Sequence, residues 1–137
     1  DKNNPVLICS SRSEQCFKTF TLDGKYIKTI HLPGLYVCRA VIDDKNIYAG
    51  VCWSDTKEGQ KQVKDSGFVT ILDDGDKVVS NPGGTAPQYT GGKLQPMFQA
   101  PEKIFNHGHD VCIDDDKNLY VCQWNANHTA PIKLERV

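Results

Sequence analysis

No stretch of this chain approaches the roughly 18 consecutive apolar residues that a bilayer-spanning helix needs. Charge of one sign is equally scarce. There are 16 Lys and Arg against 17 Asp and Glu, a formal net charge of -1, so no basic surface suited to nucleic acid is expected. The six cysteines include no C-x-x-C pair, which argues against zinc-ribbon and thioredoxin-type sites. G-x-S-x-G elbows, phosphate loops and dinucleotide fingerprints are all missing. So is the apolar period of an amphipathic helix. What remains is 137 residues with 39% hydrophobic content, long enough for one ordinary domain. No signal peptide stands at Asp1, so a mature, trimmed or partial chain is expected.

Strand signals fill this frame. Cys16-Phe17-Lys18-Thr19-Phe20-Thr21-Leu22 and Tyr26-Ile27-Lys28-Thr29-Ile30 alternate apolar and polar residues around Asp23-Gly24, the pattern of a hairpin with one face buried. Ile42-Asp43-Asp44-Lys45-Asn46-Ile47-Tyr48 then returns as Ile113-Asp114-Asp115-Asp116-Lys117-Asn118-Leu119-Tyr120, with one extra Asp in the turn. A recurring strand, acidic turn and strand with an aromatic two places in marks a repeat architecture. The charged stretch Ser54 to Ser66 reads as an exposed loop, and Asp74-Gly75 as a further turn.

Four-stranded antiparallel units of about 40–45 residues arranged radially are the blades of a β-propeller. The expected fold is therefore all-β, with residues 1–34 an incomplete blade, 35–82 a full blade and 107–137 a second incomplete blade. Residues 83–106 form the connection, with a brief strand around Met97 and Phe98. Labelling the strands of a full blade A to D, the chain begins at B of one unit and stops after C of a third.

The segment His107-Gly108-His109-Asp110-Val111-Cys112-Ile113-Asp114, with Asn118-Leu119-Tyr120-Val121 after it, resembles the NHL-repeat pattern of TolB-like six-bladed β-propellers. The second unit matches in part, with Cys38 standing where His109 stands. The resemblance implies a six-bladed ring, of which about two and a half blades lie here as a C-terminal part. The remaining blades, from the same protein or another chain, would be its first partners. It implies a binding module that meets a small molecule or protein with its channel-side loops, because the fold hosts many unrelated activities. The alternative it implies is a metal-dependent lyase similar to peptidyl-hydroxyglycine lyase, with His109 as a zinc ligand. Several cysteines and a sequon suggest a secreted or periplasmic protein of this kind.

The residues that carry chemistry under either reading are His107, His109, Cys38, Arg39 and Trp124. On a strand, residues i and i+2 share a face, which would bring both imidazoles of His107-x-His109 to one side. Trp53 and Trp124 follow equivalent strands, where an aromatic either packs a blade interface or stacks on a sugar. The acidic turns Asp43-Asp44 and Asp114-Asp115-Asp116 lack the calcium-loop spacing and read as hairpin turns. Cys9 with Cys16, and Cys112 with Cys122, either bridge hairpins in an oxidising compartment or remain free thiols. Asn127-His128-Thr129 is an N-x-T sequon, meaningful only in a secreted eukaryotic protein.

Overall fold

The computed structural model describes residues 5–136. Its sheets follow the chain in order. Strands β1 (Val6–Ser11), β2 (Cys16–Thr21) and β3 (Tyr26–His31) form the first, with a 3-10 turn at Arg12–Glu14 after β1. The second has four strands: β4 (Leu35–Asp43), β5 (Asn46–Ser54), β6 (Phe68–Leu72) and β7 (Val78–Ser80). After a small hairpin of β8 (Tyr89–Thr90) and β9 (Lys93–Leu94), the last sheet holds β10 (Gly108–Ile113), β11 (Leu119–Gln123) and β12 (Ile132–Leu134). Each strand pairs antiparallel with its neighbour in sequence. The protein is all-β with antiparallel sheets. The run from Pro131 narrows to the three residues of β12, and Val137 lies outside the described residues.

One turn chemistry recurs in all three sheets. The carbonyl of residue 1 accepts the N–H of residue 4 at Thr21–Gly24, Asp73–Asp76 and Asp114–Lys117, at 3.0, 3.0 and 2.9 Å. Residue 4 is left-handed each time, with φ of 86° at Gly24, 62° at Asp76 and 67° at Lys117. This is the turn with a bulge that matches right-handed strand twist. In Asp74-Gly75 the left-handed residue is thus Asp76, one place after the glycine. The acidic side chains serve these turns. Asp73 Oδ1 accepts the N–H groups of Gly75 and Lys77, both at 2.9 Å, and Asp114 Oδ1 accepts that of Asn118 at 2.8 Å.

The sheets stack through their inner strands. β4 lies against β1, and β10 lies against β4 and β5. Phe17, Leu35, Val51, Phe68, Val111 and Val121 are almost wholly buried in one continuous core spanning all three sheets. Each such side chain contributes about 2 kcal/mol by leaving water.

The connection between β7 and β10 departs from the expected brief strand at Met97 and Phe98. Its paired strands are β8 and β9, turned by Gly91 and Gly92, both with positive φ. Met97 is instead a buried anchor whose N–H reaches Pro33 O at 3.0 Å, while Phe98 makes an isolated bridge to Asp55 and is tied to Thr85, accepting its N–H at 2.8 Å and donating to its Oγ1 at 3.0 Å. The stretch Ser54 to Ser66 is exposed through Lys57–Gln62 and again at Lys64 and Asp65, as expected, and is anchored at its ends. Asp55 and Ser66 at its ends are buried, 4% and 5% exposed.

Candidate functional site

Where the three sheets meet, an open depression of about 610 Å³ is lined by Ile8, Ser10 and Arg12 after the first sheet's inner edge, Cys38 to Ala40 on β4, and His109 and Asp110 on β10. Three of the expected residues, Cys38, Arg39 and His109, come together here. Arg39 binds Asp110 through both carboxylate oxygens, with Nη2 at 3.2 and 3.0 Å and Nε at 3.3 Å from Oδ1. Arg12 points Nη2 at Cys38 Sγ, 3.2 Å away, and lays its guanidinium 5.7 Å from the centre of the Trp53 ring. It has no carboxylate partner among the described residues. With Arg39 balanced by Asp110, the depression carries a net positive charge from Arg12.

Cys38 is buried beside a second thiol. Its neighbour across the strand pair, Cys52, shares a hydrogen bond with it. The bond lifts the Cys38 thiol well above the usual range, and burial adds to the rise while Arg12 opposes it. The same bond draws Cys52 down, against burial and with help from Arg12. The pair therefore gives up one proton readily and holds the other firmly.

His107 and His109 part company. The i, i+2 rule applies along a strand, but β10 begins at Gly108 and His107 sits before it with φ of 49°. Its ring turns inward, 4% exposed. Nε2 accepts the Asp65 N–H at 2.9 Å, and Nδ1 lies 2.9 Å from Trp124 O. A carbonyl can only accept, so the network assigns the proton to Nδ1. Trp124 N–H returns a bond to His107 O at 3.0 Å. His107 thus clamps the loop before β6 and the end of β11, and is absent from the depression.

Trp124 is half exposed and meets Trp53 edge-to-face at 6.1 Å and the His107 ring at 5.6 Å. Both tryptophans pack an inter-sheet seam, and Trp124, like His107, is not among the residues that line the depression. Sequence reading passed over Arg12, Cys52 and Asp110 as site residues, while the interface packing it offered for Trp53 and Trp124 is the arrangement found. A signal for Arg12 existed in its place: it stands just after β1, as Trp53 stands at the end of β5 and Trp124 just after β11. Arg12 is the first sheet's counterpart of the tryptophans.

Comparison with family models, curated proteins and solved structures returns no match. A zinc ion finds no ready donor set either. Among the described residues no three His, Cys, Asp or Glu side chains gather as metal ligands, and the guanidinium of Arg12 would repel a cation beside His109. All six cysteines are free thiols, with Cys16, Cys38 and Cys52 buried and Cys9, Cys112 and Cys122 exposed. Neither expected hairpin pair is directly opposed: Cys9 faces Lys18, and Cys112 faces Tyr120. No helix among the described residues is long and apolar enough to cross a membrane.

Proposed function

We propose that this chain is part of an NHL-like, TolB-type β-propeller that acts as a binding module, recognising an anionic group of a small molecule or protein in the depression between its sheets. One observation carries the binding reading: Arg12, lacking a carboxylate among the described residues, lines a depression to which all three sheets contribute. Guanidinium groups bind carboxylates and phosphates through paired hydrogen bonds. His109 and Ser10, which also line the depression, offer further polar contacts. Three consecutive antiparallel sheets in B–C–D, A–B–C–D and A–B–C order support the propeller reading, and further blades would be its structural partners. Export fits the exposed sequon at Asn127.

The test is an NMR titration of isotope-labelled protein with citrate and, separately, inorganic phosphate. Shift changes confined to Ser10, Arg12, Cys38 to Ala40 and His109, weakened about tenfold in Arg12→Ala, are the expected result. Changes scattered over surface lysines, or unaltered by Arg12→Ala, would overturn the assignment.

A further inference from the structure

We propose that Cys38 and Cys52 are a redox-active dithiol, oxidised by hydroperoxides to a disulfide joining β4 and β5. The proposal does not depend on which ligand the depression takes.

The geometry begins with the ladder between these strands. Val37 pairs with Val51, but the register slips on both sides of that pair, between Tyr36 and Val37 and between Val37 and Ala40. Cys38 lies in the second irregular stretch. Cys52 lies in the first, between Val51 and Trp53, whose partners are Val37 and Tyr36. A bulged residue escapes the regular ladder and can re-aim its side chain. Cys38 and Cys52 thus flank the Val37–Val51 pair on adjacent, already paired strands, within the two stretches where the ladder is irregular, and a disulfide between them would join strands that already lie side by side. The remaining cysteines lack this arrangement: Cys9, Cys112 and Cys122 are exposed, and Cys16 is buried on β2.

The surroundings suit the chemistry. Thiolate is the reactive form, and a neighbouring guanidinium favours it. Arg12 Nη2 stands 3.2 Å from Cys38 Sγ. Cys38, 3% exposed, lines the open depression, whereas Cys52 is 0% exposed and does not line it. The shared hydrogen bond lets Cys38 pass its proton to Cys52 before reacting. The thiol that lines the depression is thus the attacking one, and the hidden thiol resolves it.

The steps balance. The Cys38 thiolate attacks one peroxide oxygen, the O–O bond breaks, and the departing alkoxide takes up the proton as an alcohol. Cys38 is oxidised to a sulfenic acid while the peroxide is reduced. Cys52 sulfur then attacks Cys38 sulfur, the S–S bond forms, the S–O bond breaks, and the hydroxide leaves with the Cys52 proton as water. Two thiols and one hydroperoxide become one disulfide, one alcohol and one water.

The experiment treats the reduced full chain with limiting hydrogen peroxide, blocks residual thiols under denaturing conditions and maps peptides without reductant. A Cys38–Cys52 cross-link, reversed by dithiothreitol and formed ahead of oxidation at Cys9, Cys112 and Cys122, is expected. Cys52→Ser should leave Cys38 as a sulfenic acid trapped by a dimedone probe, and Arg12→Gln should slow cross-linking by about tenfold. Because the wild-type map decides the matter, an unfolded variant does not obscure it. Recovery of Cys38 and Cys52 as free thiols while the exposed cysteines oxidise would overturn the proposal.

Discussion

The seam between the second and third sheets closes backbone to backbone, whereas the seam between the first and second is held by side chains. At the former, a methyl group on Gly67 would lie 2.2 Å from Gly108 N, and one on Gly50 would lie 2.7 Å from Gly108 O. At the latter, Gln15 spans the gap, donating to Asp55 Oδ2 and accepting the Gly34 N–H, both at 2.9 Å. Lys28 reaches across to Asp76, and Ser10 donates to Cys38 O. The difference has a functional consequence. Main chains in contact leave no space for a ligand, while a seam bridged by long polar side chains opens into a depression at its rim. The candidate site therefore takes Ile8, Ser10 and Arg12 from the first sheet, at the looser seam, and His109 and Asp110 from the third.

The largest effect should come from forcing the tight seam apart. Gly67→Ala places a carbon against the Gly108 and His107 backbones, and neither can retreat without moving β10. A cost of about 3 kcal/mol is expected, at the upper end of overpacking effects. Urea denaturation should show a lower midpoint. Gly59→Ala is the control for adding a methyl at a left-handed glycine with nothing nearby, and should cost about 1 kcal/mol. Equal losses in the two variants would mean that the seam is not packed this closely.

The looser seam has a polar keystone in Asp55. Its buried carboxylate accepts Gln15 Nε2 at 2.9 Å, Tyr36 OH at 3.1 Å, Lys61 Nζ at 2.7 Å and Gln62 N–H at 3.1 Å. Burial pushes its pKa upward, but these four donors together outweigh burial and hold it below the usual aspartate value. A carboxyl depressed in the folded state stabilises the fold above its unfolded pKa, and that stability is lost as pH falls through the folded value. Wild-type stability should therefore decline on acidification below about pH 4. Asp55→Asn turns an amide N–H₂ toward donors that need an acceptor, at a cost of about 2 kcal/mol near neutral pH. The variant should also show a shallower acid decline. An unchanged acid limb in thermal melts would remove Asp55 from the account.

The repeat was legible because turns are encoded locally. Asp-Gly, the acidic tripeptide and the alternating strands each specify their own geometry, and they predicted the order of the ten strands in the three large sheets. The small hairpin carried an equally local signal in Gly91-Gly92, overlooked because the surrounding Pro, Gly and Gln suggested a structureless connection. The site was legible only in part. Cys38, Arg39 and His109 were found by their place in the repeat, whereas Trp124, found the same way, packs a seam instead. Cys52 was not found, because its place beside Cys38 depends on how β4 and β5 pair, and that register slips on both sides of Val37 and Val51. His107 was misplaced for a similar reason: one left-handed residue before β10 cancels the i, i+2 relation to His109. Such breaks arise from tertiary packing, which no short window of sequence records.

The smallest effect on stability belongs to Arg39 and Asp110, and it separates holding the fold from serving the site. Their bidentate pair crosses the tight seam, yet the side chains are 68% and 38% exposed. Solvent and salt screen such a pair, so Arg39→Ala should cost about 0.5 kcal/mol, and less in concentrated salt. Its effect on binding should be larger. Without Arg39, Asp110 presents an unbalanced carboxylate to the depression and cancels the charge of Arg12. Citrate affinity should then fall by about tenfold or more, while the urea midpoint hardly moves. Asp110→Asn should do the reverse by freeing the Arg39 guanidinium, strengthening citrate binding at nearly constant stability. If both variants change affinity in the same direction, charge balance is not what governs this depression.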